Sequence, residues 1–238
     1  MKKVIIIGAT SGIGRALAEM YAKNNCIVGA TGRRRELLDS LQEEFPENIV
    51  YECFDVTQDE NVECMKNLIQ QIGGLDLLIY NTGYGVPSNY LEWDIDNNTN
   101  DNNVNGFLEI INFTFNYFLM EGKGQIAATS SIASIQVNRY APAFSAGKTC
   151  ISSYMEGLYL KAKQLKAPII ITDIQRGFVK TALAKSEKQC WVTSVDKATQ
   201  QIYQALEQKK RVAYITKRWW LIAKIMKHIP MYLHEKIG

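Results

Sequence analysis

The sequence predicts an α/β protein, a doubly wound parallel sheet with helices on both faces. Two observations carry this. Short apolar runs alternate with longer stretches of helical periodicity along most of the chain. That alternation demands crossover connections and therefore parallel strands. The first run, residues 4–7, is apolar without interruption and ends at Gly8. A strand buried on both faces reads this way, whereas a half-solvated strand would alternate.

The elements follow in order. After the strand at 4–7, a helix is expected at 13–23, a strand at 26–31, and a helix at 34–45 that Pro46 stops. A strand at 49–54 and a helix at 58–72 come next, with Gly73-Gly74 where a helix C-cap wants left-handed backbone. Strands are then expected at 75–80, 125–130, 169–174 and 212–215, and helices at 103–120, 142–166 and 196–208. The Asn/Asp-rich stretch 94–105 reads as a loop feeding a helix, and 84–100 and 177–195 as loops over the open end of the sheet. No repeat or low-complexity linker divides the chain. The expectation is one domain over 1–238, with an amphipathic extension at 217–238.

Composition narrows the function. Hydrophobic residues make up 47% of the 238 and charged residues 21%, an ordinary globular balance. A net charge of +3 is too small to make nucleic acid the main partner. The five cysteines are widely spaced without a C-x-x-C, and the two histidines, His228 and His234, lie near the C-terminus. A zinc site is therefore not expected, and reduced thiols in the cytoplasm are. No apolar stretch has the length of a membrane span or a signal-peptide core.

The run after the first strand is Gly8-Ala9-Thr10-Ser11-Gly12-Ile13-Gly14, followed by a helix. Glycines in a strand-to-helix turn let a pyrophosphate approach free N–H groups at the positive end of the helix dipole. A ligand-free turn would look similar, but this one follows the first buried strand, where a dinucleotide-binding Rossmann fold places it. Gly8, Thr10, Ser11, Gly12, Ile13 and Gly14 are the expected pyrophosphate contacts. The second strand ends Ala30-Thr31-Gly32 and runs into Arg33-Arg34-Arg35. A carboxylate there would bind the ribose 2′-OH of NAD. A guanidinium suits a 2′-phosphate, so Arg33 points to NADP. Three arginines could instead form a solvated helix start, but cations there oppose the dipole, and a bound anion explains them better.

With these residues in place, the chain resembles the short-chain dehydrogenase/reductase family from Lys3 to about Ile215. Asp55-Val56 is similar to the family's adenine-side segment, and Asn81-Thr82-Gly83 resembles its N-A-G signature. Asn103-Val104-Asn105-Gly106 resembles the segment with the catalytic asparagine; Asn103 is the better match and Asn105 the runner-up. Ser131 is similar to the catalytic serine and Lys148 to the active-site lysine. Gly177, Val179 and Thr181 resemble the segment at the nicotinamide end. The resemblance implies hydride transfer between nicotinamide C4 and a carbonyl or alcohol carbon, with a small-molecule substrate.

Three positions depart from the pattern. The family's Y-x-x-x-K reads Phe144-Ser145-Ala146-Gly147-Lys148, Arg176 stands where proline usually precedes Gly177, and Lys180 stands before Thr181. The tyrosine implied by the resemblance is the general acid, its phenol acidified by the lysine one helical turn away. Phenylalanine keeps the ring and loses the proton. Tyr140, eight residues before Lys148, is a poor substitute two turns away. The chain thus reads as an NADP(H)-dependent oxidoreductase with impaired proton transfer. The alternatives are an altered reaction, a deliberately inactivated variant, or a protein on the same fold that only binds a dinucleotide or a partner.

Two helices carry further expectations. In 217–238, Trp219, Ile222, Ile225, Met226 and Ile229 fall at helical spacing among basic residues. Such a helix can lie on a membrane surface, but packing on the domain is the commoner use and is favoured here. The helix near 103–120 is apolar nearly all round, from Phe107 to Leu119. One face meets the sheet, and the surplus suggests a homodimer or homotetramer.

Overall fold

The structure is a computed structural model that describes residues 1–135, 137–180, 192–216 and 218–226. Seven strands form one sheet in the order β3-β2-β1-β4-β5-β6-β7. They are β1 (Lys3–Ile7), β2 (Ile27–Gly32), β3 (Ile49–Cys53), β4 (Leu77–Tyr80), β5 (Gly124–Ser131), β6 (Ile169–Arg176) and β7 (Val212–Ile215). Every pairing is parallel. The chain winds outward from β1 through β2 and β3, then returns to the other side of β1 as β4. The strand order therefore reverses between β1 and β4, and the crevice outside the carboxyl ends at such a point is where ligands bind in this architecture.

The two faces of β1 explain its unbroken apolar run. Val4 and Ile6 pack with Leu17 and Tyr21 of α1 (Gly12–Lys23), Leu38 and Leu41 of α2 (Arg35–Glu44), and Ile202 of α7 (Val195–Glu207). Ile5 and Ile7 pack on the opposite side with Leu68 of α3 (Asn61–Ile72), Phe107 and Ile111 of α5 (Gly106–Glu121), and Ile151 and Met155 of α6 (Pro142–Gln164). Val4, Ile5, Ile6 and Ile7 are all fully buried. The predicted layers are these, and the strand and helix ends fall within a few residues of their expected places.

One expectation needs correcting. Residues 84–100 are not loop throughout, because α4 (Trp93–Asn100) forms there and passes through a π-helical turn, Asp101–Asn105, into α5. Asn and Asp are weak helix formers because they compete for backbone hydrogen bonds. Here their side chains bond one another a turn apart. The Asn97 amide donates to Asp101 at 3.1 Å, Asn102 to Asn98 at 3.0 Å, and Asn105 to Asp101 at 2.8 Å. Asp94 and Asp96 in the first turn also suit the helix dipole.

The segment after β6 is described only at its ends, where Val179 bridges to Thr193. Thr181 lies outside the described residues, as do Cys190, His228 and His234. The last described helix, α8 (Trp219–Met226), packs on the domain through Trp219, which is 6% exposed and joins Ile132 and Ala223 in a small apolar cluster. A side chain on Gly177 would meet the Trp219 indole nitrogen at 2.0 Å, so indole and backbone are in direct contact. No helix among the described residues is long and apolar enough to cross a membrane.

Candidate functional site

The glycine turn sits at the carboxyl end of β1. The N–H groups of Gly8 and Ala9 both donate to the Thr31 carbonyl, at 3.1 and 2.7 Å, tying the turn to β2. Gly8 has φ +85°, a conformation that favours glycine. Gly14 is required for a different reason: a Cβ there would lie 2.0 Å from the Gly8 carbonyl oxygen and 2.9 Å from the Asn81 amide. The turn and α1 therefore meet backbone to backbone. Ser11 is the N-cap of α1 but makes no side-chain capping bond, and the first turn holds no acid. That helix start suits an anion.

The arginines at the end of β2 divide their work. Arg34 donates from Nη2 to Thr10 Oγ1 at 2.7 Å and Ser11 Oγ at 2.8 Å, so its guanidinium lies against the glycine turn. Arg33 is more than half exposed and donates to Asp55 Oδ2 at 3.3 Å. The other Asp55 oxygen accepts from Thr57 N–H at 3.1 Å. The sequence analysis singled out Arg33; Arg34 is the arginine that reaches the glycine turn. The signal available was two hydroxyls, Thr10 and Ser11, that need a donor. Val56 is buried, and its carbonyl accepts from Asn61 at 3.0 Å.

From the turn, a polar path runs into the cleft. Asn81 N–H donates to the Ile7 carbonyl at 3.0 Å, and its Oδ1 accepts from Thr129 Oγ1 at 3.1 Å. The Thr129 carbonyl accepts from Lys148 Nζ at 3.0 Å. Lys148 is 1% exposed. Burial first, and then the positive charge of Arg176, lower its pKa to about 7, with Asp173 partly offsetting them. Gly83 lies close against this amine: a Cβ there would stand 2.8 Å from Lys148 Nζ, so a larger residue would displace the lysine.

Asn103 is fully buried in the π-helical turn. Its amide nitrogen donates to the Tyr84 carbonyl at 2.6 Å and its oxygen accepts from Tyr84 N–H at 3.0 Å, pinning the loop after β4. Asn105, by contrast, is exposed and donates to Asp101. π turns often mark functional sites, and this one directs Asn103 inward beside Gly83 and Gly147. Ser131 Oγ accepts from Ala133 N–H at 3.1 Å. Its neighbour Ser130 turns into the core and donates to Asp173.

Phe144 lies on the first turns of α6, its ring centroid 5.8 Å from Lys148 Nζ. It packs against Gly85, where a Cβ would meet the ring at 2.5 Å. Tyr140 precedes the helix, is about half exposed, and is held through its backbone by Ser88 at 2.8 Å and by Asn138 at 3.0 Å. It is therefore not on a helical face with Lys148. Arg176 ends β6 in register with Ser131, Gly177 lies under Trp219, and Val179 is buried. Among the described residues no group of His, Cys, Asp and Glu is placed to hold a metal ion.

A sequence profile described as short chain dehydrogenase matches residues 2–190. The chain belongs to the short-chain dehydrogenase/reductase family. It is 31% identical over 188 residues to an uncharacterized oxidoreductase of Myxococcus xanthus, covering 76% of this chain and 74% of that one. In fold it is similar to a short-chain dehydrogenase/reductase of Burkholderia phymatum solved in complex with NAD, at TM-score 0.84 and 16% identity, covering 94% and 92% of the two chains. It is likewise similar to an NADPH-dependent 3-quinuclidinone reductase of Rhodotorula rubra, at TM-score 0.77 and 21% identity, covering 90% and 89%. Short-chain dehydrogenases/reductases are oxidoreductases that use a nicotinamide dinucleotide. Of the three positions singled out in the sequence, Phe144 and Arg176 lie near Lys148, and Lys180 is exposed beside the bridge between Val179 and Thr193.

Proposed function

We propose that the protein binds NADP(H) and exchanges hydride with a small carbonyl or alcohol substrate, slowly because Phe144 lacks the proton of a phenol. The observation that carries this reading is the unbroken path from the glycine turn through Asn81 and Thr129 to Lys148. It joins a place for a pyrophosphate to a place for proton chemistry.

The residues present fit the cofactor. Gly8 and Gly12 take left-handed backbone, at φ +85° and +56°, a side chain at Gly14 would strike the Gly8 carbonyl, and the start of α1 beside Thr10, Ser11 and Ile13 carries neither a side-chain capping bond nor an acid. Arg34 and Arg33 offer guanidinium groups for a 2′-phosphate, and Asp55 beside them is paired to Arg33. Relatives in fold include both an NADPH-dependent and an NAD-bound protein, so the preference for NADP rests on this chain's own arginines. Asp55 and Val56 would face the adenine, Asn81 and Gly83 the ribose, and Gly177 with Val179 and Thr181 the nicotinamide.

When bound, the dinucleotide supplies or accepts the hydride at nicotinamide C4. Ser131 accepts from the backbone, which leaves its hydroxyl proton free to orient a substrate oxygen. Asn103 holds the loop over the site, and Lys148 Nζ carries an exchangeable proton near neutral pH. Phe144 offers none. The protein is expected to pair as a homodimer or homotetramer and to work in the cytoplasm.

Phe144→Tyr tests the reading. General acids contribute about 10²–10⁴-fold. The new phenol would stand near Lys148, and carbonyl reduction is expected to rise by about 100-fold or more. NADPH consumption with several ketones and aldehydes measures it. If the unaltered protein is already fast, the phenol is unnecessary. If both proteins are inert while NADPH still binds, the protein binds without turnover and Phe144 is not the only lesion.

A further inference from the structure

Among the described residues, Arg176 is a charge without a partner. It ends β6 in register with Ser131, at the carboxyl edge of the sheet, and is half-buried. Its guanidinium makes no hydrogen bond or ion pair with the described residues. Its positive charge reaches Lys148, so two cations share the cleft. The nearest acid on the strand, Asp173, is already engaged by Ser130, Ser152 at 2.7 Å and Gln175 at 2.9 Å. A partly buried cation left unpaired carries a desolvation cost, and an anion supplied by a ligand removes it.

A dinucleotide bound as proposed above does not supply that anion. Its phosphates belong at the glycine turn and the arginines after β2. Its nicotinamide end is neutral when reduced and cationic when oxidised. The anion must come from the other ligand. The walls nearby are apolar: Phe144 stands 5.8 Å from Lys148 Nζ, and Phe178 packs edge-on against Trp219 with centroids 5.8 Å apart. We infer that Arg176 binds the carboxylate of the substrate, which is therefore an oxo acid, or the matching hydroxy acid, on an apolar body. This inference rests on the proposed function for the role of the cleft, but the anion site itself does not require turnover.

The test is equilibrium binding by calorimetry, with and without NADPH. The probes are phenylpyruvate and its neutral near-isostere 1-phenyl-2,3-butanedione. The acid is expected to bind at least about 10-fold more tightly, the typical worth of one charge-assisted contact. Arg176→Gln should erase that difference and leave NADPH binding, followed by fluorescence, unchanged. Arg176→Lys should keep most of it, and carries the test if the Gln variant does not fold. Equal binding of the two probes, or a preference that survives Arg176→Gln, overturns the inference. Loss of NADPH binding with the acid preference intact would instead strike at the proposed function and leave the anion site standing.

Discussion

Lys148 sits where its charge is penalised, and that has a measurable consequence. Burial, with the neighbouring Arg176, lowers its pKa from 10.5 to about 7. In the unfolded chain the lysine keeps its ordinary value. Between these two values the unfolded state binds more protons than the folded one, so stability rises with pH across that window. Below pH of about 7 both states are protonated and the penalty is fully present. The thermal midpoint of the unaltered protein should therefore gain on that of Lys148→Met as pH rises from about 7 to about 10. A difference that stays flat or shrinks contradicts the buried, destabilised amine. The lysine was legible in sequence through the family resemblance. Its low pKa was not, because that depends first on how deeply the folded chain buries the lysine and then on Arg176 arriving from β6. Arg34 was missed for a similar reason. Three consecutive arginines look alike until the turn of the chain sets which one faces Thr10 and Ser11.

Elements were read best where burial alone decides them. The continuous apolar run of β1 and the long apolar face of α5 left little choice. The helix over Trp93–Asn100 was hidden, because its support comes from side-chain bonds a turn apart rather than from propensity or an apolar stripe. The same stretch carries the π turn that places Asn103, which no periodicity announces. The apolar surplus of α5 proves to be used mostly inside the chain: Phe107, Ile110, Ile111, Phe115 and Phe118 are buried. What remains outside is Leu119 and Met120 on α5 and Leu160 on α6, at 37%, 80% and 61% exposure. The proposed pairing through these two helices thus rests on a smaller surface than the sequence suggested. Light scattering at micromolar concentration should give a dimer or tetramer of the 26.9 kDa chain. A monomer under those conditions contradicts the pairing.

At the scale of the whole molecule, the sheet order sets the crevice, and the sequence order of the motifs sets what lines it. The turn after β1, the arginines after β2, Asn81 after β4 and Ser131 at the end of β5 all reach the carboxyl edge because parallel strands end there together. That much was readable from motif order. How the pieces touch was not, since the links through Thr129 and Arg34 join residues far apart in the chain. The central claim is that this crevice holds NADP(H) in preference to NAD(H). Fluorescence titration of the unaltered protein and of Arg34→Ala with NADPH and NADH tests it most directly. One charge-assisted contact to a 2′-phosphate is worth roughly 1.5–3 kcal/mol, so NADPH should bind at least about 10-fold more tightly than NADH. Arg34→Ala should remove most of that preference while leaving NADH binding within about 3-fold. Equal affinity for the two cofactors, or an Arg34→Ala variant with its NADPH preference intact, would contradict the account.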